Sequence, residues 1–340
     1  MTLGDLGADV IKVERPHWGD DTRGWGPPFD ARGESAYYLS CNRNKRSVVL
    51  DLDREGDRET ARTLIAGADV VIENFKGGSL ERRGLQPLAM LAAHPRLLWC
   101  SISGFGRDDP RGGYDFVLQA EAGWMSVTGP AAGAPSKTAT ALVDVLTGRD
   151  AAIAILAALA GGRDAAPADR WLQPTLHQSA LAGLINVAQS ALVTGRAPQR
   201  WGNAHAQLVP YELFDASDRA IVIAVGTDEQ YTSFARLLGD PLLAEQRFAR
   251  NAGRVSYRAE LVPVIAARIR TRTADDWKAR FDDAGIPCGL VRTVLEALGE
   301  VTTSPLTGIA PLAPMAVRLP PPTLDEHGEA IRARGWDAIA

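Results

Sequence analysis

Ser47-Val-Val-Leu-Asp-Leu52, Glu59-Thr-Ala-Arg-Thr-Leu-Ile-Ala66 and Ala68-Asp-Val-Val-Ile72 follow one another with only the charged turn Asp53-Arg-Glu-Gly-Asp-Arg58 between the first two. The outer runs are short and rich in β-branched residues, so they read as strands; the middle run has helical spacing and composition. Strand, helix, strand is a βαβ unit, and the rhythm continues. Leu85 to Ala93 predicts a helix, and Leu97-Leu-Trp-Cys-Ser-Ile102 a strand that stops at Gly104-Phe-Gly106. Upstream, Asp9-Val-Ile-Lys-Val-Glu14 is a further strand, ended by Arg15-Pro16. This is the pattern of an α/β domain with a mostly parallel sheet covered by helices. In such a sheet the loops at the carboxyl ends of the strands form the binding crevice, here Glu14, Glu73 to Gly78 and Ser103 to Tyr114.

The rest of the chain divides in two. Ala139 to Gly161 is apolar and alanine-rich and predicts a long buried helix; a polar linker over residues 161–170 leads to a second helical run, Gln178 to Leu192. Near Arg200 the texture changes. Tyr211 to Phe214 and Ala220 to Ala224 predict a strand pair, followed by helices over 228–238, 258–269 and 274–284. The last stretch is proline-rich over 305–322 and ends in a short helix over 324–334. The part after Arg200 reads as a smaller α+β domain.

Bulk properties exclude several function classes. The 340 residues carry 37 Lys and Arg against 41 Asp and Glu, a net charge of −4, so no global field recruits nucleic acid. The longest apolar stretch, around Ala151 to Ala160, is too short to span a bilayer, and the first residues lack a basic segment followed by an apolar run. Cys41, Cys100 and Cys288 are few and far apart, which fits a reducing compartment and a cytoplasmic protein. The five histidines never fall at ligand spacing, so no metal site is expected.

Asp144 is the most informative single residue. A carboxylate within an apolar helix costs roughly several kcal/mol unless it is paired, hydrogen-bonded or functional. It either caps the helix or pairs with an arginine, or it does chemistry. The loop Glu73-Asn-Phe-Lys-Gly-Gly78 places a base and two glycines after a strand, with Arg82 and Arg83 a turn further on; this suits a phosphate-bearing ligand as well as an ordinary solvated turn. Asp115, after Gly112-Gly-Tyr114, reads as a helix N-cap or a site residue.

In this order the motifs resemble the family III coenzyme A transferases of the CaiB/BaiF type, which include formyl-CoA transferase, carnitine-CoA transferase and the related 2-methylacyl-CoA racemase. The segments are LGADVIKVERP, CNRNKRSVVLDL, ADVVIENFKGGSLERRGL, HPRLLWCSISGFG, GGYDFVLQAEAGWMSVTG, GNAHAQLVPYELF and AGIPCG, from Leu6 to Gly289. The resemblance implies a large Rossmann-like domain from 1–199 with 302–340, a smaller α+β domain from 200–301, an interlocked homodimer, and an enzyme that moves CoA from an acyl-CoA donor to a carboxylic acid acceptor. The CoA thioester is a substrate, and no tightly bound cofactor is implied. Asp144 occupies the place of the family nucleophile, with Tyr114 and Asp115 beside it, and Arg15, Asn74, Lys76 and Arg82 are implied to contact CoA. Racemases of the group carry histidine where this chain has Tyr114, whose ordinary pKa near 10 suits it poorly as a base at neutral pH. Racemase or epimerase activity, and a CoA-binding chain without turnover, are the alternatives. The family pattern also begins with one more strand, whereas this chain starts inside the helix that follows it.

Overall fold

The computed structural model describes residues 1–161 and 165–339; of the linker expected over 161–170, residues 162–164 lie outside the described residues. The chain forms two compact units. One is Met1–Trp124, Thr138–Val193 and Leu298–Ala340; the other is Met125–Lys137 and Thr194–Ala297.

The first unit begins α1 (Thr2–Asp5), β1 (Ile11–Glu14), α2 (Ala36–Asn42), β2 (Arg46–Val49), α3 (Glu55–Ala66), β3 (Val70–Glu73), α4 (Pro87–Ala93), β4 (Leu98–Ser101) and α5 (Asp115–Glu121). After α6 (Trp124–Val127) it resumes with α7 (Leu142–Ala160), β5 (Trp171–Leu172), α8 (Leu176–Gly183) and α9 (Ile185–Thr194). The local signals explain the boundaries. Ser35 caps α2 by accepting the Tyr38 N–H, Pro87 opens α4, and Thr175 caps α8 through Gln178.

The strands lie parallel, as expected, but in two sheets. β1 pairs with β2, from Ile11 opposite Arg46 to Glu14 opposite Val49, while β3, β4 and β5 pair in that order. The second edges of β1 and β3 pair with no described strand. One apolar cluster nevertheless contains residues of β2, β4 and the helices over them: Val48, Leu64, Leu91, Leu97, Trp99 and Ile331. A second cluster, Leu118, Ala122, Val143, Leu176 and Ala180, packs α5, α7 and α8 together. It is this second cluster that positions the candidate site.

Two helical expectations need correction. The run over 178–192 is two helices, because Ile185 takes a φ of +40°, a left-handed conformation that a β-branched residue in a continuous helix cannot hold. And α7 is not wholly buried: Val143, Ala151 and Ile155 face the core, while Val145, Ile153 and Leu156 are exposed.

In the second unit β6 (Tyr211–Asp215), β7 (Ala220–Ala224) and a later strand form an antiparallel sheet. Between them run α10 (Asp228–Leu238), α11 (Asn251–Ser256), α12 (Arg258–Ile269) and α13 (Ala274–Asp283), before β8 (Cys288–Leu290) closes the sheet. Phe214, Ile223, Phe234, Ile265, Trp277 and Phe281 fill its core, and Trp277 stacks on Phe281 at 5.3 Å. His205 stays within this unit, its Nδ1 accepting the Gln207 N–H at 3.0 Å. The chain ends with α14 (Val294–Leu298), the small pair β9 (Thr303–Ser304) and β10 (Gly308–Ile309), and α15 (Gly328–Arg334).

Candidate active site

Asp144 lies in the first turn of α7, and the residue is exposed. The helix starts at Leu142 rather than in the apolar run's middle, which is how a carboxylate is accommodated: near a helix N-terminus the free N–H groups favour negative charge. Neither structural alternative from the sequence applies. The cap position is Ala141, and among the described residues the Asp144 carboxylate has no cationic partner. Crowding by surrounding atoms, and secondarily the Asp115 charge, push this carboxyl up to about 6 from the ordinary 3.8.

Asp115 is the first residue of α5, with Tyr114 at the cap position, so it does not cap its own helix. Its carboxylate caps α7 instead. Oδ1 accepts the N–H of Val143 at 2.8 Å and, at 3.4 Å, that of Asp144; Oδ2 accepts from the Gln119 amide at 2.7 Å. Tyr114 is 70 % exposed and its hydroxyl is directed by none of these bonds.

The sequence reading missed Tyr37. It sits on α2, edge-on to Trp25 with ring centroids 5.0 Å apart, and burial, then the charges of Asp144, Cys41 and Asp115, raise its phenol above the usual range. Nothing in its local sequence marks it; the charge of Asp144, more than 100 residues away in the chain, is felt there.

The proposed coenzyme A residues divide by location. Glu73 ends β3 and fixes the loop after it, accepting the Phe75 N–H at 2.7 Å and the Ser101 hydroxyl. Asn74 and Lys76 are exposed on that loop, and Arg82 is exposed in the single 3-10 turn Glu81–Arg83, not an α-helix. Among the described residues the side chains of Lys76 and Arg82 have no partner within the chain, whereas Arg83 is held by Asp53 at 2.9 Å and by Ser79. Lys76 and Arg82 therefore present unused cationic donors, the pattern an anionic ligand needs. The loop after β4 lies against this one: a Cβ on Gly77 would collide with the Arg107 carbonyl, and Arg107 pairs with Glu81. Arg15, after β1, is exposed and paired with Asp21; no described bond joins it to the other loop.

Among the described residues no group of histidine, cysteine and acidic side chains can hold a metal ion, and no helix is long and apolar enough to cross a membrane. Two cavities, of about 350 Å³ at Thr303, Ser304 and Met315 and about 480 Å³ at Tyr231, Arg236 and Asp240, lie on other segments. They contain none of the residues above.

The structure thus places the Asp144 carboxylate at a helix start and the exposed side chains of Lys76 and Arg82 after a parallel strand; comparison with known proteins supplies the class of enzyme. The family model for CoA-transferase family III matches residues 1–309. Succinate–glutarate CoA-transferase of Agrobacterium fabrum is 38% identical over 307 residues, covering 88% of this chain and 76% of that one. Acetyl-CoA:oxalate CoA-transferase of Acetobacter aceti is 34% identical over 300 residues, covering 87% and 76%. Among solved structures, a CAIB/BAIF family protein from Brucella suis superposes with a TM-score of 0.82 at 40% identity, covering 98% of this chain and 93% of that one. The chain belongs to CoA-transferase family III and is an enzyme with the fold of that family.

Proposed function

We propose that this enzyme transfers coenzyme A from an acyl-CoA to a short dicarboxylic acid, with Asp144 as the nucleophile. The observation that carries this reading is Asp144 itself: an exposed carboxylate without a cationic partner among the described residues, made more basic than usual by its surroundings. A more basic carboxylate is a better nucleophile once ionised. The dicarboxylate class is supported by the relatives, whose names specify succinate, glutarate and oxalate.

In the proposed cycle an Asp144 oxygen attacks the thioester carbonyl, the C–S bond breaks, and CoA leaves as thiolate. The product is a mixed anhydride. The thiolate then attacks the Asp144 carbonyl of that anhydride, releasing the donor acid and leaving an aspartyl-CoA thioester. The acceptor carboxylate attacks this thioester, expelling thiolate and forming a second anhydride; thiolate attack on the acceptor's acyl carbon yields the new acyl-CoA and frees Asp144. Each step exchanges one activated acyl bond for another, so the thioester's free energy is not lost to water. Lys76 and Arg82 hold the phosphates of CoA, with Arg15 and Asn74 at the rim, while Tyr114 and Asp115 stand beside the reacting carboxyl.

The working form in this reading is an interlocked homodimer in the cytoplasm. Ile185, Leu192 and Val193 on α9 are 73 %, 77 % and 75 % exposed, an apolar surface suited to a second copy. All three cysteines are free thiols, in keeping with a reducing compartment.

The test is chemical. Protein incubated with an acyl-CoA is treated with hydroxylamine and digested, and peptide mass spectrometry locates the acylated or hydroxamate-bearing residue. Modification at Asp144, with CoA transfer lost in Asp144→Ala while CoA binding persists, supports the reading. An adduct elsewhere, or an Asp144→Ala protein that transfers CoA at the wild-type rate, removes it. Deuterium entering the α carbon without acyl exchange would point to racemase chemistry instead.

A further inference from the structure

Gln119 is 1 % exposed, and both ends of its amide are used. Its NH2 donates to Asp115 Oδ2 at 2.7 Å and its carbonyl accepts the N–H of Thr138 at 2.9 Å. Asp115, one helical turn earlier, accepts from the N–H groups of Val143 and Asp144. Two side chains of α5, spaced i and i+4 on one face, thus grip both ends of the segment 138–144 that delivers Asp144. The α5 face they share is otherwise apolar, with Leu118 and Ala122 in the cluster that also takes Val143. A neutral apolar pair would pack that face without needing partners; a buried amide and a carboxylate cost desolvation unless every bond is made.

We infer that Asp115 and Gln119 form a positioning clamp, which sets the backbone of the first turn of α7 and so the direction of the Asp144 carboxyl, and that Asp115 acts through Asp144 without touching substrate. This rests on the nucleophile assignment proposed above. Val143, Asp144 and Gln119 together occupy three of the roughly four lone-pair sites of the half-buried Asp115 carboxylate, so it is committed mainly to the chain. Its negative charge has a second effect. Repulsion between the two carboxylates is relieved when Asp144 becomes a neutral anhydride or thioester, so the clamp favours covalent capture over the free enzyme. The groups that face Asp144 are Asp115 from α5 and Tyr37 from α2, with Cys41 one turn beyond Tyr37. From α8, His177 turns to the Phe105 ring at 5.5 Å instead, and on α1 Asp5 is engaged by Arg43 at 2.8 Å.

Two variants separate the parts. Gln119→Met keeps the volume and removes both amide bonds; Asp115→Asn keeps an acceptor for the α7 N–H groups and removes the charge. Backbone hydrogen exchange over 138–144 and CoA transfer are measured for both, beside wild type. The clamp predicts exchange of Thr138 and Val143 at least about tenfold faster in Gln119→Met, with other segments unchanged, and transfer lowered roughly 10- to 100-fold while CoA binding holds. Asp115→Asn should move the acid limb of the transfer rate below that of wild type, a change that a purely structural role would not produce. Unchanged exchange and unchanged transfer in Gln119→Met, or an acid limb that stays put in Asp115→Asn, overturns the inference. If Gln119→Met fails to fold, the pH profile of Asp115→Asn decides it. If wild type transfers no CoA, the nucleophile reading fails on its own, and the exchange measurement still decides the clamp.

Discussion

Gly104 and Gly113 meet backbone to backbone: a Cβ on Gly104 would lie 2.6 Å from the Gly113 Cα, and a Cβ on Gly113 would collide with Gly104 in turn. They close the neck of the loop that follows β4 and lead directly into Tyr114 and Asp115. The same neck is tied to the start of α8, where Leu176 N–H donates to Ser103 at 2.9 Å and His177 N–H to Gly104 at 2.9 Å. Gly113→Ala should therefore shift Asp115 and, through it, the start of α7. The expected outcome is a loss of about 1–3 kcal/mol in denaturant unfolding and a fall in CoA transfer larger than the stability loss explains. Full activity with reduced stability alone would show that the neck does not position the site.

Ionisation of Asp144 gives a pH prediction. With its carboxyl at about 6, attack on the thioester should be half-maximal near that pH and fall roughly tenfold per unit below it, provided chemistry limits the rate. Stability runs the opposite way. Because the folded value lies above the unfolded one, the folded chain holds the extra proton between about 4 and 6, so stability falls as pH rises through that window. Asp144→Asn should match wild type in unfolding at pH 4 and exceed it at pH 7. Equal stability at both would contradict the raised value.

Arg82 and Arg15 should differ as coenzyme A contacts. Arg82→Ala removes a guanidinium that has no competing partner among the described residues, and the dissociation constant for CoA should rise by roughly tenfold or more. Arg15 must leave Asp21 to meet a phosphate, so Arg15→Ala should cost less, as should the uncharged Asn74→Ala. Calorimetric titration with CoA at fixed salt checks the order; an Arg82→Ala protein with unchanged affinity removes that residue from the site.

Arg23 carries a different load. It is 8 % exposed, pairs with Glu14 at 2.7 Å and Glu34 at 2.6 Å, and its Nη2 donates to the Tyr38 hydroxyl at 2.6 Å. Its remaining bond, to the Pro322 carbonyl at 3.3 Å, fastens the C-terminal segment beside β1. Arg23→Met leaves two buried carboxylates uncompensated and should cost about 3–5 kcal/mol in unfolding experiments. Substituting exposed Arg96 should change little by comparison.

The apolar surface of α9 predicts association. Sedimentation should give a dimer for wild type and a monomer for Leu192→Asp, since a charge would be buried without a partner. A wild-type monomer at working concentration would remove the homodimer from the proposal.

Local order along the chain was largely determined by sequence alone. The β-branched runs that contain Ile11 and Val13, Val48 and Val49, and Val70 to Ile72 form strands because the residues within each run share one backbone preference, and the helices over 228–238 and 258–269 are bounded as their patterns predict. The ordered motifs also pointed to the family and to Asp144, because their residue types stand at fixed sequence positions. What only the tertiary structure decided concerns partners distant in sequence. That Asp115 caps α7 rather than α5, that Gln119 reaches Thr138, and that Tyr37 lies near Asp144 depend on how helices pack, and periodicity carries no record of which helix faces which. No local pattern marks Arg23 or Arg170 for burial, yet the fold surrounds both with acceptors, and Arg170 donates to the carbonyls of Leu91, His94 and Leu97. Composition favours a helix around Asp144, but only the start of that helix at Leu142, fixed by a carboxylate 27 residues before it, turns an awkward charge in an apolar run into an exposed carboxyl at a helix N-terminus. Desolvation and hydrogen bonding depend on the whole surroundings of an atom, and those surroundings exist only once the chain has folded.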